Sequence, residues 1–297
     1  MDKPFKQVAV LMGGPSAERA VSLRSGAAVA RGLRAAGYAV TEVDPQDGQL
    51  RLDAHIEAAF VALHGAFGED GAVQALLRQR ALPYTGAGVE ASRTAFDKLC
   101  SKRIFVSHGI PTPDYEVLGP GAARTLPLPV VVKPVRQGSS IGLQRVFQEA
   151  DWAPALADAR RYEGGVLVER YIAGRELTVG FVGEEALPVL EIRAPDGWYD
   201  YAAKYTAGLT EYLVPAPLPE ATARACQDLA RRVFAALGGR DLGRVDLRMS
   251  PAGELFVLEL NTIPGFTETS LLPKAARVAG LEFPELCDRI MRRATVH

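Results

Sequence analysis

The segment GRVDLRMSPAGELFVLELN, residues 243–261, constrains the fold more than any other part of the chain. Its alternating apolar and polar residues predict two strands joined by a turn at 250–253, because successive strand residues point to opposite faces. We expect one face of this hairpin to be core, with the apolar side chains Val245, Leu247, Met249, Phe256, Leu258 and Leu260. The opposite face then collects the polar side chains Arg244, Asp246, Glu259 and Asn261.

Two acids, an amide and an arginine on one face of a largely buried hairpin need a charged partner. Burying such groups unpaired costs several kcal/mol. Oxygen ligands without histidine or cysteine favour Mg²⁺ or Mn²⁺, and Mg²⁺ takes few protein ligands where nucleotide phosphates supply the rest. The pattern predicts a metal site at Asp246, Glu259 and Asn261; the alternative is an exposed polar face on an edge hairpin. Pro264 and Gly265 follow and favour the metal, since they bend the backbone toward whatever lies there.

Composition and charge exclude several classes of protein. The 297 residues carry 34 Lys plus Arg against 35 Asp plus Glu, a formal net charge of −1, which disfavours nucleic acid or an anionic membrane as the partner. The sequence has no apolar run of the roughly 18 residues that a membrane-spanning helix needs. Its three cysteines include no Cys-x-x-Cys pair, so neither a disulfide framework nor a zinc site is favoured. We therefore expect a soluble cytoplasmic protein.

The first third of the chain alternates short apolar runs with helical patterns, which is typical of βαβ units around a parallel sheet. Predicted strands cover 8–12, 38–43 and 60–63. We predict a helix capped by Ser16 and ended by Gly37, and a further helix that starts at Ser92 and runs to His108. The fold class is therefore α/β in this part of the chain.

Later segments predict two more lobes. Proline and glycine are dense in 111–129, so we expect a connecting strand and loop there, leading into a small α/β lobe. A hairpin across Gly183 and a helix over 219–237 then indicate an α+β lobe with an antiparallel sheet. The predicted lobe ranges are 1–90, 91–170 and 171–297.

The loop RQGSSIG, residues 136–142, can wrap phosphate oxygens with backbone N–H groups. It lies between two predicted strands, and such a loop can equally be an ordinary hairpin turn. Lys133 ends the preceding apolar strand, where a buried cation needs an anion. Neither GxxxxGK[ST] nor GxGxxG occurs, so a P-loop and a Rossmann site are disfavoured. Lysine is scarce beside arginine, which makes Lys98, Lys133 and Lys204 the phosphate-binding candidates.

Glu18 and His64 lie where open α/β sheets bind ligands, at the carboxyl ends of predicted strands. Glu18 falls in the first turn of a helix, and its alternative role is to stabilise that helix N-terminus. His64 ends another strand of the same sheet; its alternative role is that of a structural histidine.

Eight motifs together resemble the D-alanine:D-alanine ligases in order and spacing over nearly the whole chain. They are GGPSAER, ALHGAFGEDG, LPYTGAG, DKLCSK, VVVKPVRQGSSIG, YDYAAKY, GRVDLR and ELNTIPGFTETSLLP. The resemblance implies an ATP-grasp fold of three lobes, with ATP between the central and C-terminal lobes. It further implies that ATP phosphorylates the carboxylate of one D-alanine and that the amine of a second D-alanine attacks the acyl phosphate, in the synthesis of peptidoglycan precursors.

The resemblance assigns a role in nucleotide binding to most of the polar residues already singled out. Metal ligands for two Mg²⁺ or Mn²⁺ ions are Asp246, Glu259 and Asn261. Contacts to ATP are assigned to Lys98, Lys133, Ser140, Glu169, Ile172 and Glu176. Among these, Glu169, Ile172 and Glu176 contact the adenine and the ribose. Lys204 is assigned a contact to the phosphoryl group that is transferred.

The remaining roles implied by the resemblance concern the two D-alanines. Glu18 binds the ammonium of the first substrate, which His64 helps to orient. Ser139 and Tyr205 hydrogen-bond to Glu18 as a lid. The oxyanion site is formed by Arg244 and the N–H of Gly265, and the carboxylate of the second substrate is bound by Ser270 and Leu271.

Two departures and two alternatives accompany this resemblance. Ala202 stands where the family commonly has Glu, and Gln137 stands where Glu also occurs. Both departures concern the stability of the lid rather than the chemistry. A ligase that forms D-alanyl-D-lactate is the nearest alternative, and Tyr205 argues against it. A nucleotide-binding sensor without turnover is the alternative from another class. A homodimer is expected from the resemblance.

Overall fold

Three β-sheets, with helices packed on them, position the functional residues in this computed structural model. The structure describes residues 3–119, 121–197, 199 and 208–297. The strands are β1 (Gln7–Leu11), β2 (Ala39–Val43), β3 (Ala58–Val61), β4 (Tyr115–Leu118), β5 (Val130–Pro134), β6 (Gln144–Val146), β7 (Val166–Arg170), β8 (Arg175–Val182), β9 (Glu185–Ala186), β10 (Leu190–Arg193), β11 (Glu211–Leu213), β12 (Leu242–Met249) and β13 (Leu255–Asn261). The helices are α1 (Arg19–Ala35), α2 (Ala72–Gln79), α3 (Val89–Phe96), α4 (Lys98–Ser107), α5 (Trp152–Ala159), α6 (Glu220–Ala236), α7 (Leu271–Val278) and α8 (Phe283–Met291).

The first sheet is parallel, in the order β2-β1-β3, as the alternating pattern predicted. Helix α1 ends as expected before Gly37, whose φ of 86° lets its N–H turn back to the carbonyl of Arg34. The prediction that Ser16 caps α1 is wrong: Glu18 is the N-cap residue, and no side chain caps the helix there. Ser16 instead accepts a hydrogen bond from the Glu18 N–H and donates one to the carbonyl of His64, which joins the start of α1 to the end of β3.

The single helix expected from Ser92 to His108 is two helices, α3 and α4. Asp97 interrupts it with an extended backbone, φ −86° and ψ 102°. The Asp97 carboxylate then caps α4 by accepting from the N–H of Cys100 at 3.0 Å. This break places Lys98 in the first turn of α4, so its side chain enters the cleft instead of continuing along α3.

The second sheet is antiparallel, in the order β4-β7-β5-β6, with α5 packed on it. The third, also antiparallel, has the order β11-β10-β8-β12-β13 with β9 beside β8, and α6 covers its core face. The predicted hairpin across Gly183 and the predicted helix over 219–237 are both confirmed. The ranges 1–90, 91–170 and 171–297 stay a prediction, although α7 and α8 at the end of the chain share a core with α1 of the first sheet.

The hairpin of β12 and β13 carries the expected polar face but a different core face. A β-bulge lies where Asp246 pairs with Glu259 and Leu247 pairs with Val257, so Leu258 is the extra residue. The bulge shifts the alternation of β13, and Val257 joins Leu260 in the core. The prediction that Phe256 and Leu258 are core residues is therefore wrong. Both are only partly buried, and Leu258 lines the cleft.

Candidate active site

Two adjoining cavities meet between the second and third sheets and extend to the first. The smaller encloses about 100 Å³ and lies between β5, β7, β12 and β13. The larger, about 790 Å³, reaches the start of α1 and the start of α7. Residues that line both cavities are Lys98, Gln137, Gly138, Ser139, Tyr199 and Glu259. The cavities are therefore two ends of one cleft, which we call the small end and the large end.

The polar face of the β12–β13 hairpin forms the wall between the two ends. Asp246 lies opposite Glu259, and Arg244 lies opposite Asn261. Arg244 donates to both oxygens of Asp246 at 2.8 Å, and Thr178 on β8 donates to Asp246 Oδ1 at 2.7 Å. Burial opposes the Arg244 charge, but Asp246 more than offsets this and raises the pKa of Arg244. The sequence predicted that these residues share a face, and the structure adds that two of them form an ion pair.

A buried carboxylate holds two lysines at the floor of the small end. Glu169 is 2% exposed, and its Oε1 and Oε2 lie 2.6 Å and 2.7 Å from the ammonium groups of Lys102 and Lys133. Burial opposes the Glu169 charge, yet the two lysines lower the pKa of Glu169 to about 2. Lys133 and Glu169 thus lie together at the predicted nucleotide site, but each is already paired.

Lys102 is a buried cation that the sequence reasoning did not place in the site. It is fully buried on α4, and burial lowers its pKa to about 8 against the opposing effect of Glu169. Its ammonium also donates to Thr112 Oγ1, which donates to the carbonyl of Val257 on β13 at 2.7 Å. Its spacing was a usable signal, because Lys98 and Lys102 are one helical turn apart and lie on the same face.

Lys98 reaches the junction of the two ends. Its ammonium donates to the carbonyl of Gln137 and lies 3.9 Å from Glu259 Oε2. Burial lowers the pKa of Lys98, and Glu259 offsets only part of this effect. The position therefore places one lysine between the 136–142 loop and the carboxylate predicted to bind metal.

The 136–142 loop lies over the junction, with Ser139 at φ 49° and Ser140 at φ 59°. These left-handed conformations are uncommon outside glycine and mark a constrained turn. Ser139 donates a hydrogen bond to Glu18 Oε1. A Cβ at Gly138 would lie 2.7 Å from Glu18 Oε2, so the loop approaches the carboxylate end of the Glu18 side chain closely. The predicted contact between Ser139 and Glu18 is present.

Arg248 holds Ile172 and Glu176 together at the far side of the small end. These two residues were predicted to contact the adenosine of ATP. Arg248 is 5% exposed and donates to the Ile172 carbonyl at 3.1 Å and to Glu176 Oε2 at 3.0 Å. It also reaches the carbonyls of Gly174 and Gly197. Sequence reasoning did not select Arg248, although strand alternation puts it on the face of Arg244 and Asp246.

His64 lies at the large end near the start of α1. It is buried, and its Nε2 lies 3.0 Å from Ser25 Oγ. Ser25 Oγ accepts a hydrogen bond from the N–H of Phe266. This shared hydroxyl joins His64 to the loop that carries Gly265. The arrangement combines the two roles considered from the sequence, because His64 lines the cleft and is fixed by a structural hydrogen bond.

The remaining predicted residues of the large end lie at the start of α7. Ser270 is the N-cap residue of α7, and its hydroxyl accepts from the N–H of Thr267 at 3.0 Å. Gly265, Ser270 and Leu271 line the same cavity as Arg244 and Asn261. Lys204 and Tyr205 lie outside the described residues, as does Ala202.

The oxygen donors on the hairpin fit a hard divalent cation. Asp246 and Glu259 supply carboxylates from neighbouring strands, and Asn261 adds an amide oxygen that also accepts from the N–H of Ile263. In the described part of the chain, no three His, Cys, Asp or Glu residues group as a metal site. Few protein ligands are what Mg²⁺ needs where phosphates complete its shell.

The fold that surrounds this narrow pocket, with its buried lysines and its opening to a polar cavity, is the fold of the ATP-grasp ligases. Solved structures of that class superpose on the chain. The D-alanine–D-alanine ligase of Bacillus anthracis complexed with ATP is 29% identical, with a TM-score of 0.84 and 97% of each chain covered. A second structure of the Bacillus anthracis ligase is 32% identical, with a TM-score of 0.85 and the same coverage.

The chain belongs to the D-alanine–D-alanine ligase family. The family's C-terminal profile, D-ala D-ala ligase C-terminus, matches residues 104–292, and its D-ala D-ala ligase N-terminus profile matches residues 40–87. The D-alanine–D-alanine ligase of Syntrophotalea carbinolica is 50% identical over 98% of this chain and 97% of its own. That of Methylacidiphilum infernorum is 44% identical over 96% and 94%.

Proposed function

We propose that this protein joins two D-alanines to D-alanyl-D-alanine, with cleavage of ATP to ADP and phosphate, for peptidoglycan precursor synthesis. One observation carries the proposal: the polar face of the β12–β13 hairpin, the 136–142 loop and the starts of α1 and α7 all line one continuous cleft. The small end has the buried lysines that a triphosphate requires. The large end is lined by polar groups suited to two amino acids. Family membership supports both assignments.

In the first step, a carboxylate oxygen of one D-alanine attacks the γ-phosphorus of ATP, and ADP leaves. Lys98 and Lys133 hold phosphate oxygens, while Ile172 and Glu176 hold the adenosine. Glu18 holds the ammonium of the first D-alanine, with Ser139 bonded to its carboxylate. Mg²⁺ held by Asp246, Glu259 and Asn261 would neutralise phosphate charge.

In the second step, the amine of the other D-alanine attacks the acyl phosphate, loses a proton and expels phosphate. Arg244 and the N–H of Gly265 stabilise the negative oxygen that develops on the attacked carbon. Ser270 and Leu271 hold the second substrate by its carboxylate. The 136–142 loop covers the junction, which protects the acyl phosphate from water.

The remaining roles follow the family resemblance. Lys204 contacts the transferring phosphoryl group, and Tyr205 joins Ser139 and Glu18 in the lid. We further propose that the protein is a cytoplasmic homodimer. None of the described helices is both long and apolar enough to cross a membrane.

The test is the identity of the product. Purified protein is incubated with ATP, Mg²⁺ and D-alanine, then with L-alanine, then with D-alanine and D-lactate together, and the products are separated by mass. We expect D-alanyl-D-alanine in the first and third mixtures and no dipeptide in the second. D-alanyl-D-lactate as the main product of the third mixture would instead favour the depsipeptide ligase.

A further inference from the structure

Lys274 is a half-buried cation at the large end that the proposed steps do not use. It lies on α7 one turn after Ser270, its backbone N–H bonded to the Ser270 carbonyl at 3.0 Å. Its side chain lines the large end together with Ser270 and Leu271, and it does not line the small end. It is therefore placed beside the second substrate and away from the phosphates.

No carboxylate among the described residues balances the charge of Lys274. Its ammonium lies 4.1 Å from the centroid of the Tyr212 ring on β11. Among the described residues, no carboxylate oxygen lies within the 4.0 Å of an ion pair with Lys274. Burial lowers the pKa of Lys274. The Tyr212 ring attracts the ammonium but carries no net charge, so this partly desolvated cation at a cavity wall is suited to take an anion from a ligand.

We infer that Lys274 binds the carboxylate of the second amino acid and selects for a charged carboxylate at that position. This inference rests on the proposed function. The start of α7 supplies neutral donors, the Ser270 hydroxyl and the Leu271 N–H, while Lys274 supplies the one full positive charge on that helix turn. A hydrogen bond from a charged group is about twice as strong as a neutral one, so the lysine discriminates a carboxylate from a neutral group of the same shape.

D-alaninamide tests this role because it has the nucleophilic amine but an uncharged amide in place of the carboxylate. It cannot be phosphorylated, so it can enter only as the second substrate. D-alanine and D-alaninamide compete in one reaction with ATP and Mg²⁺, and the two products are counted by mass. The ratio of dipeptide to dipeptide amide does not depend on how much of a variant is folded.

We expect Lys274→Met to lower that ratio about tenfold, because the loss of one charge-assisted contact falls on the carboxylate alone. Lys274→Arg should keep the ratio within about threefold of the unsubstituted protein, since the charge remains. The matched control is Arg277→Met, which removes an exposed cation from the same helix, one that pairs with Glu282 at 3.9 Å. Its ratio should not change.

Two outcomes separate this inference from the proposed function. Normal dipeptide formation by the unsubstituted protein, with the same product ratio in Lys274→Met, would overturn the role of Lys274 and leave the proposed function intact. Absence of any D-alanine-dependent product from the unsubstituted protein would overturn the proposed function and the role of Lys274 together.

Discussion

The two ends of the cleft differ in how their charges are balanced. At the small end Glu169 is enclosed by Lys102 and Lys133, and Glu176 is held by Arg248. At the large end Lys274 faces the cavity without a carboxylate partner among the described residues. The charges of the small end are therefore paired before a ligand arrives, whereas Lys274 at the large end is available to pair with a substrate. Preorganised groups cost little to align at the moment of reaction.

The largest effect is expected at the wall between the two ends, from Glu259→Gln. Its side chain faces the cleft and is 37% exposed, so the fold should survive the loss of one charge. We expect Mg²⁺-dependent phosphate release to fall at least about a hundredfold, because a predicted metal ligand is neutralised. Glu254→Gln, at the exposed turn of the same hairpin, is the control. Near-normal release by Glu259→Gln would remove Glu259 from the metal site.

The paired charges of the small end should show in the pH dependence of unfolding. The pKa of Glu169 is about 2 in the folded protein, against an ordinary value of 4.5 for an exposed carboxyl group. The ionised carboxylate therefore contributes fully to the free energy of unfolding above pH 4.5. This contribution is lost as the pH falls from 4.5 toward 2, by about 3 kcal/mol in total. Urea unfolding between pH 6 and pH 3 should give a shallower loss for Glu169→Gln than for the unsubstituted protein. Equal slopes would show that the carboxylate is not stabilised by its lysines.

Replacing Arg248 tests whether the ion pair and hydrogen bonds at the small end contribute to ATP binding. Arg248→Met removes the ion pair to Glu176 and the contact to the Ile172 carbonyl. We expect the KM for ATP to rise about thirtyfold with little change in the KM for D-alanine. Arg231→Met, an exposed arginine on α6, is the matched control. If the KM for D-alanine rose as much as the KM for ATP, the small end would not bind ATP independently of the amino acids at the large end.

The smallest effect is expected from Ser139→Ala at the junction. It removes the hydroxyl that donates to Glu18. One lost hydrogen bond to a charged group should lower kcat/KM for D-alanine about fivefold to tenfold and leave the KM for ATP unchanged. Initial rates at varied D-alanine and saturating ATP measure this. No change in kcat/KM would mean that the loop does not position Glu18 for the substrate.

The sequence predicted the polar face of the β12–β13 hairpin because strand alternation follows directly from residue order. It could not predict the core face of β13, since the bulge at Leu258 depends on how β13 pairs with β12. The break at Asp97 was missed for a related reason: the helical pattern continues across it, and the capping contact to Cys100 is visible only in three dimensions.

Two buried polar residues that lie inside the motifs, but to which no role was assigned, were the hardest part of the site to predict. Lys102 and Arg248 carry a helical or strand spacing that pointed to the cleft, but their partners come from distant segments. Lys102 meets Glu169, and Arg248 meets Glu176, only after β7, β8 and β12 are assembled. The contact between α1 and α8 was likewise not predictable from local sequence, because the two helices lie near opposite ends of the chain.

The stoichiometry of phosphate release tests most directly whether the two ends act as one active site. Phosphate and dipeptide are measured together in the presence of Mg²⁺ and ATP, with D-alanine, with L-alanine and without amino acid. We predict one phosphate per D-alanyl-D-alanine and negligible release in the other two mixtures, since ATP at the small end reacts only with a carboxylate held at the large end. Equal phosphate release with and without D-alanine would contradict the account and favour a nucleotide-binding module that is not a ligase.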